Sequence, residues 1–174
     1  MITIYVKDFN GDITQKSYDD IINNLDLNRL RCPKCNGFNM LIHGYYFRSV
    51  KTCVGKIALK VLRVICPYCH KTHALLLSTI IPYQSIQLKD QLRIIQDDDI
   101  DSLMIENNGI NEIDIVRVKE NYNSFYKELL ISEGIKLDDN LIINCFKYFK
   151  RQFLQIKRSF NILFNQYHIT WINR

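Results

Sequence analysis

Cys32-Pro33-Lys34-Cys35 and Cys66-Pro67-Tyr68-Cys69 are two copies of one short motif, and 30 residues separate them. In each copy a tight turn directs two thiols toward one point, and the proline after the first cysteine fixes the backbone at the turn. Two such turns supply the four ligands of a tetrahedral structural zinc site. We therefore predict one structural Zn²⁺ ion, bound by Cys32, Cys35, Cys66 and Cys69.

The residues between the two motifs predict a long β-hairpin. Leu41–Val50 and Lys56–Ile65 are extended runs separated by Gly55, and the second run places Ile57, Leu59, Val61 and Ile65 on one face of a strand. The gap is longer than the common spacing between paired Cys-x-x-Cys motifs, but a hairpin returns the chain to its starting point. The cysteines and the hairpin together predict a zinc ribbon.

Other interpretations of the cysteines and histidines fit less well. A thioredoxin-like redox pair needs one Cys-x-x-Cys in a βαβ setting, and a catalytic zinc keeps one coordination position open. His43, His70 or His73 could replace a cysteine ligand, although each is more simply a surface or hairpin histidine. We predict that Cys53, near the hairpin tip and about 30 Å from the metal by strand length, is a free thiol. Cys145 is predicted to pack as a small apolar residue.

The net charge of +5 conceals a strong segregation along the chain. Residues 27–89 carry 10 basic and no acidic side chains, whereas residues 90–140 carry 5 basic and 13 acidic ones. A long segment without a carboxylate favours a polyanionic partner, most simply nucleic acid. The alternative is that the basic segment docks on the acidic segment within the same fold.

Membrane and secretory classes are not indicated. The longest nearly apolar run, 74–81, is far shorter than the roughly 20 residues of a membrane helix. The first residues lack the features of a signal peptide. We therefore predict a cytoplasmic protein with no membrane partner, in which cysteines serve as thiols or metal ligands.

The hydrophobic pattern predicts an α+β protein in three segments. Residues 1–30 form a strand and a helix with Ser17 as its N-cap. Residues 31–83 form the zinc ribbon, with a third strand over 73–81. Residues 84–174 are predicted to be entirely helical, beginning with an amphipathic helix that contains Leu88, Leu92 and Ile95.

Residues 100–122 have the layout of a helix-turn-helix. Gly109 makes the turn, Ile110 points to the core, and a helix capped by Asn111 would enter the major groove. The acidic residues Glu112, Asp114 and Glu120 on that helix oppose the phosphate field, and only Arg117 and Lys119 favour it. The alternative is two helices of a bundle.

The segment 140–167 predicts a long final helix with a heptad seam. Its large apolar residues are spaced alternately by four and three: Ile142, Phe146, Phe149, Phe153, Ile156, Phe160, Leu163 and Tyr167. This seam is predicted to be either the centre of a local bundle or, through residues 142–167, a homodimer interface.

The motifs resemble an uncharacterised bacterial zinc-ribbon family that is labelled transposase-like. The resemblance covers about residues 30–85 and rests on both Cys-Pro-x-Cys motifs, on His43-Gly44-Tyr45-Tyr46 and on Lys71-Thr72-His73-Ala74. The same layout is similar to the N-terminal zinc ribbons of insertion-element transposases, in which a helix-turn-helix follows. His70 occupies a position where glycine is usual in that knuckle. The resemblance implies DNA binding connected with a mobile element.

We therefore predict a non-catalytic, zinc-containing DNA-binding protein of a mobile element, either a transposase accessory or a transcriptional regulator. The alternative is an adaptor whose basic ribbon binds an acidic protein, such as a transposase or polymerase subunit. An Asp-rich nuclease site at 97–101 is not favoured, because clustered Asp residues before a helix more often cap it, so no catalytic residue is predicted. The residues predicted to contact nucleic acid are Tyr45, Tyr46, Arg48, Lys51, Lys56, Lys60, Arg63, Arg117 and Lys119.

Overall fold

Five strands form one sheet: β1 (Ile2–Tyr5), β2 (Leu41–Thr52), β3 (Gly55–Ile65), β4 (Thr72–Leu77) and β5 (Ile169–Trp171), in the order β2-β3-β4-β1-β5. The computed structural model describes residues 1–6, 12–97, 109–138, 140–149, 152–155 and 169–171. Helices pack with this sheet, so the chain is α+β, as predicted.

The hairpin β2–β3 is the longest antiparallel pair, and its register runs from Leu41 opposite Ile65 to Thr52 opposite Gly55. An irregularity between Ile42 and Gly44 shifts the pairing by one residue. Both extended runs are therefore strands. Strand β4 pairs with β3 only through Arg63–Ile65, so most of the hairpin is a two-stranded ribbon at one end of the sheet.

Strand β1 lies between β4 and β5 and is parallel to both. Ile2 and Ile4 are fully buried and belong to the same core as Leu59, Leu75 and Leu77. Residues 1–30 and the hairpin thus share one sheet and one hydrophobic core.

Helix α1 (Gln15–Asn23) fastens the first segment to the hairpin through Tyr18. The buried Tyr18 hydroxyl accepts a hydrogen bond from the backbone N–H of Leu62 at 3.0 Å and donates one to the carbonyl of Leu75 at 2.9 Å. The prediction of Ser17 as N-cap is wrong. Thr14 is the N-cap, and Ser17 is its partner in a capping box, because the two hydroxyls satisfy each other's backbone N–H groups.

In the described part of the chain, four further helices build a second core: α2 (Leu88–Gln96), α3 (Glu112–Asn121), α4 (Lys127–Ser132) and α5 (Leu141–Phe149). A π-helical segment, Tyr122–Tyr126, joins α3 to α4. Asn111 caps α3 and forms a capping box with Asp114, which confirms the helix predicted to begin there. No helix among the described residues is long and apolar enough to cross a membrane.

The predicted continuous helix over 140–167 is wrong, because α5 ends at Phe149 and residues 152–155 form a turn. Tertiary contacts hold that turn. The Gln152 side chain donates to the carbonyl of Ser78, Gln84 donates to the carbonyl of Leu154, and the Tyr126 hydroxyl donates to the carbonyl of Gln155. These bonds replace the helical ones that the heptad pattern predicts. The seam positions 156, 160, 163 and 167 lie outside the described residues.

Two other expectations for residues 84–174 have different outcomes. The prediction of an entirely helical segment is wrong, because Ile169–Trp171 pairs with β1 as a strand, and pairing over that sequence distance leaves no local signal. The first helix of the predicted helix-turn-helix, residues 100–107, lies outside the described residues.

Candidate metal centre and hairpin surface

The two Cys-x-x-Cys turns have the same backbone geometry. In the first, the N–H of Asn36 donates to the carbonyl of Cys32 at 2.8 Å, and in the second the N–H of His70 donates to the carbonyl of Cys66 at 2.9 Å. Asn36 and His70 both have left-handed backbone conformations, with φ of 58° and 55°. The sequence repeat is therefore a structural repeat, and His70 adopts the conformation for which glycine is usual.

The turns bring all four cysteines together. The sulphur of Cys32 lies 3.5 Å from that of Cys69, and the sulphur of Cys35 lies 3.5 Å from that of Cys66. All four sulphurs lie within 4.8 Å of one another. Tetrahedral zinc with Zn–S bonds of about 2.3 Å requires sulphurs about 3.8 Å apart. The cluster is thus compatible with one tetrahedral ion.

The cluster lies at the protein surface with one protected side. Cys32 and Cys66 are fully buried, Cys69 is half-buried and Cys35 is exposed. Burial acts to raise the pKa of Cys69, but hydrogen bonds from the Lys71 backbone N–H and the neighbouring thiols outweigh it and bring the pKa to about 7. Thiolate is the form that binds metal, so this environment assists ligation by Cys69, whereas the pKa values of Cys32 and Cys35 in the same cluster are raised.

Aromatic rings cover the outer side of the first turn. Phe38 and Tyr68 lie with ring centroids 5.8 Å apart, and the Arg31 guanidinium lies 5.2 Å from the Phe38 centroid. A Cβ atom at Gly37 would be 2.5 Å from Tyr68 Cδ2. Glycine at position 37 therefore allows the Tyr68 ring of the second turn to pack against the first turn.

The three histidines near the cluster have different positions. His43 and His70 are exposed, as expected of surface residues. His73 is buried, and its Nε2 lies 3.3 Å from the sulphur of Cys32. Burial and the N-terminal ammonium lower the pKa of His73 to about 4, so its imidazole is neutral at pH 7. His73 thus contacts one cysteine of the cluster. This contact depends on the position of strand β4, to which His73 belongs.

A second group of polar residues surrounds Cys53, and sequence reasoning missed it. The Asp90 carboxylate is buried and accepts hydrogen bonds from the backbone N–H of Cys53 at 2.9 Å and from the Gln87 side chain at 2.8 Å. Asp12 lies 3.5 Å from the Cys53 sulphur and pairs with Lys89 at 3.0 Å. These contacts fasten the hairpin tip to α2. Burial and the neighbouring carboxylates of Asp90 and Asp12 raise the pKa of Cys53, so it is an unreactive thiol.

The hairpin residues predicted to contact nucleic acid lie on two opposite faces. Side chains alternate along a strand, and the register places Lys51, Lys56 and Lys60 on one face and Arg48 and Arg63 on the other. The face with the arginines packs on the core. We call the other one the lysine face, and it contains Tyr45, Phe47, Ser49, Lys51, Lys56, Ala58, Lys60 and the buried Leu62.

Three of the basic residues predicted on the hairpin make hydrogen bonds or ion pairs with other segments of the protein. Arg48 donates to the carbonyls of Ile81 and Gln84 at 2.7 and 2.5 Å. Lys51 forms an ion pair with Asp114, and Arg63 donates to the Thr72 hydroxyl at 2.7 Å. These three side chains hold neighbouring segments against the hairpin.

The exposed part of the lysine face combines cations with aromatic rings. Lys56 and Lys60 are exposed, and Lys60 Nζ lies 4.5 Å from the centroid of the Tyr45 ring. Tyr45 is 55% exposed and Phe47 is 73% exposed. Tyr46 is half-buried against the core and does not belong to this surface. The sequence analysis did not predict Phe47 as a contact residue, because an apolar residue in a strand is usually buried.

The two cations predicted on α3 are not equivalent. Arg117 is exposed, whereas the Lys119 ammonium pairs with the carboxylate of Asp97 at the end of α2. Asp114 is buried beside Lys51, so it does not project toward solvent. Exposed Glu112 and Glu120 remain on this helix.

The chain was compared with protein families, curated proteins and solved structures. Residues 32–113 match a family model described as "Domain of unknown function (DUF6431)". The matched segment begins at the first cysteine of the cluster and includes the hairpin, β4 and α2 before it ends in the first turn of α3. No curated protein and no solved structure matches the chain.

Proposed function

We propose that this chain is a non-catalytic DNA-binding protein with a zinc ribbon, in which Cys32, Cys35, Cys66 and Cys69 hold one structural Zn²⁺. Four thiolates complete the coordination shell, so the ion would have no position for a substrate. The Nε2 group of His73 would donate to the Cys32 thiolate and orient it, as outer-shell partners of metal ligands do.

The exposed part of the lysine face carries this proposal. Lys56 and Lys60 project from it together with Tyr45 and Phe47, and residues 27–89 contain no carboxylate. Phosphates are attracted to such a surface because no neighbouring anion in the ribbon compensates the lysines. The metal centre lies at the base of the same hairpin and would fix the orientation of its strands.

The resemblance to transposase-like zinc ribbons supports a connection with a mobile element, as a transposase accessory or a regulator. In transposases of that kind a helix-turn-helix follows the ribbon. Here α3 offers Arg117 as an exposed cation beside two exposed carboxylates, so we assign the main contact to the hairpin rather than to α3.

The test is DNA binding measured over a salt series. Zinc-loaded protein is titrated against labelled DNA, supplied as single strand and as duplex, while fluorescence anisotropy is recorded. The double variant Lys56→Ala/Lys60→Ala is expected to reduce the slope of log affinity against log salt by about 1.4 for a single strand or about 1.8 for a duplex.

The matched control is Lys127→Ala/Lys136→Ala, which removes two exposed lysines from the helical segment. It should leave the slope unchanged, and Arg117→Ala should change it only if α3 also contacts DNA. If neither form of DNA binds at about 50 mM salt, the proposal is overturned in favour of the adaptor that binds an acidic protein.

A further inference from the structure

The geometry of the hairpin restricts which form of DNA it fits. One face of the ribbon is not accessible, because Val50, Leu59 and Val61 on that face are buried in the core. A two-stranded ribbon can enter the major groove of a duplex, where polar side chains on the face it presents read the edges of the bases. This ribbon offers only its lysine face.

The tip of the hairpin is also covered. A Cβ atom at Gly109 would lie 3.1 Å from the backbone nitrogen of Lys56, so the segment before α3 rests directly on the tip. The Lys51–Asp114 ion pair holds α3 beside it. In addition, the N–H of Lys51 donates to the carbonyl of Ser85 at 2.7 Å. Insertion of the tip into a groove is therefore blocked.

What remains is a surface with two exposed aromatic rings, of which Tyr45 carries the Lys60 ammonium and Phe47 is the more exposed. Tyr45 and Phe47 are two residues apart on β2, so they lie side by side on this face at about 7 Å. Their neighbours Ser49 and Ala58 are small and leave the rings exposed. In a duplex the faces of the bases are hidden in the stack, so these rings would find no partner there. An unpaired strand presents every base face to a ring.

The two exposed lysines lie beside the aromatic rings, where the phosphates of a bound DNA strand would lie. Phe47 lies opposite Lys60 across the hairpin, and Lys60 also contacts the Tyr45 ring. Lys56 is a second exposed cation and lies closer to the hairpin tip. A row of aromatic rings beside a row of cations is the arrangement that binds single strands without sequence preference.

We propose that the lysine face binds single-stranded DNA, with two bases stacked on Tyr45 and Phe47 and the phosphates on Lys56 and Lys60. This inference rests on the proposed function and names its substrate class. A strand opened at the end of a duplex or in a bubble would supply such a substrate.

The experiment compares a labelled oligothymidine with a blunt duplex of equal length and mixed sequence, at about 50 mM salt, on the zinc-loaded full chain. Wild type should bind the single strand more tightly than the duplex. Phe47→Ala should weaken single-strand binding by about 5- to 150-fold, because a stacked base is lost. Phe47→Tyr should retain binding.

The matched control is Phe125→Ala, which removes a ring of similar exposure, 64%, from the π-helical segment. It should not change binding. Equal binding of the duplex, weakened by Lys56→Ala/Lys60→Ala but not by Phe47→Ala, would overturn the single-strand inference and leave DNA binding intact. Failure of both DNA forms to bind would overturn the proposed function itself.

Discussion

The ammonium group of Lys51 on β2 forms a largely buried ion pair with the carboxylate of Asp114 on α3. The pair joins the basic segment 27–89 to the acidic segment 90–140 at the hairpin tip. It uses one residue predicted to contact phosphate and one predicted on a recognition helix. Part of the charge segregation in the sequence therefore serves the fold.

Loss of this pair should destabilise the protein. Lys51→Met leaves the Asp114 carboxylate buried without its cation, and we expect the free energy of unfolding to fall by about 1.5–3 kcal/mol. Lys56→Met, on the same face but exposed, should change it by less than about 0.5 kcal/mol. Urea unfolding of the zinc-loaded variants measures both, and equal effects would mean that the pair contributes nothing.

The metal centre should contain one zinc ion per chain. Removal of the ion by a chelator should lower stability by several kcal/mol, because metal binding is coupled to folding. Cys66→Ser should lose the ion, whereas Cys53→Ser, outside the cluster, should retain it. Metal analysis and thermal melting of the purified variants test this, and full zinc content in Cys66→Ser would refute the assignment of ligands.

The left-handed residues of the two Cys-x-x-Cys turns should respond differently to glycine. His70 and Asn36 have nearly the same φ, but Asn tolerates this region better than His. His70→Gly should therefore stabilise the zinc-loaded protein by about 0.5–1 kcal/mol, and Asn36→Gly should be close to neutral. A lower melting temperature for His70→Gly would show that the exposed imidazole makes a contact that outweighs the backbone strain.

Gly109 should be the more sensitive of two left-handed glycines. Gly109 and Gly134 have φ of 75° and 62°, but a Cβ atom meets Lys56 at Gly109 and nothing within 4 Å at Gly134. Gly134→Ala measures the conformational cost alone, about 1 kcal/mol. Gly109→Ala should cost about 1 kcal/mol more, because the segment before α3 must move off the hairpin tip. Equal unfolding free energies would contradict this close approach.

Phe153 should be essential to the second core. It is fully buried, and the rings of Tyr122 and Tyr126 meet it edge-on with centroids 6.4 and 5.5 Å away. Phe153→Ala should cost about 3–5 kcal/mol, whereas Phe125→Ala at an exposed position should have little effect. Light scattering on both variants tests the alternative of a homodimer through residues 142–167, which predicts that Phe153→Ala changes the oligomeric state whereas Phe125→Ala does not.

Local signals predicted the elements with strong periodicity or caps. The cysteine repeat, the two hairpin strands and the Asn111 cap each depend on neighbouring residues, and each could be derived from the sequence. The cysteine cluster could be predicted because the hairpin brings the two Cys-x-x-Cys motifs together.

Features set by distant contacts could not be predicted. The turn at 152–155 is held by the carbonyl of Ser78 and the hydroxyl of Tyr126, which lie far away in sequence. Arg48 was predicted to face DNA. Its guanidinium instead donates to two carbonyl groups of the turn after β4, and this contact exists only in the folded protein. The sequence contains both the heptad pattern of 140–167 and the basic pattern of the hairpin. Tertiary hydrogen bonds determine what these residues contact in the folded protein.

The position of β1 between β4 and β5 has a consequence for synthesis on the ribosome. Residues 2–5 are synthesised long before residues 169–171, so this pairing must await β5. At ordinary translation rates the interval is about 8–30 s. Throughout that time an apolar strand has one edge without a hydrogen-bonding partner, the kind of edge that recruits other nascent chains. The last strand therefore ends a period of aggregation risk that every newly made copy passes through.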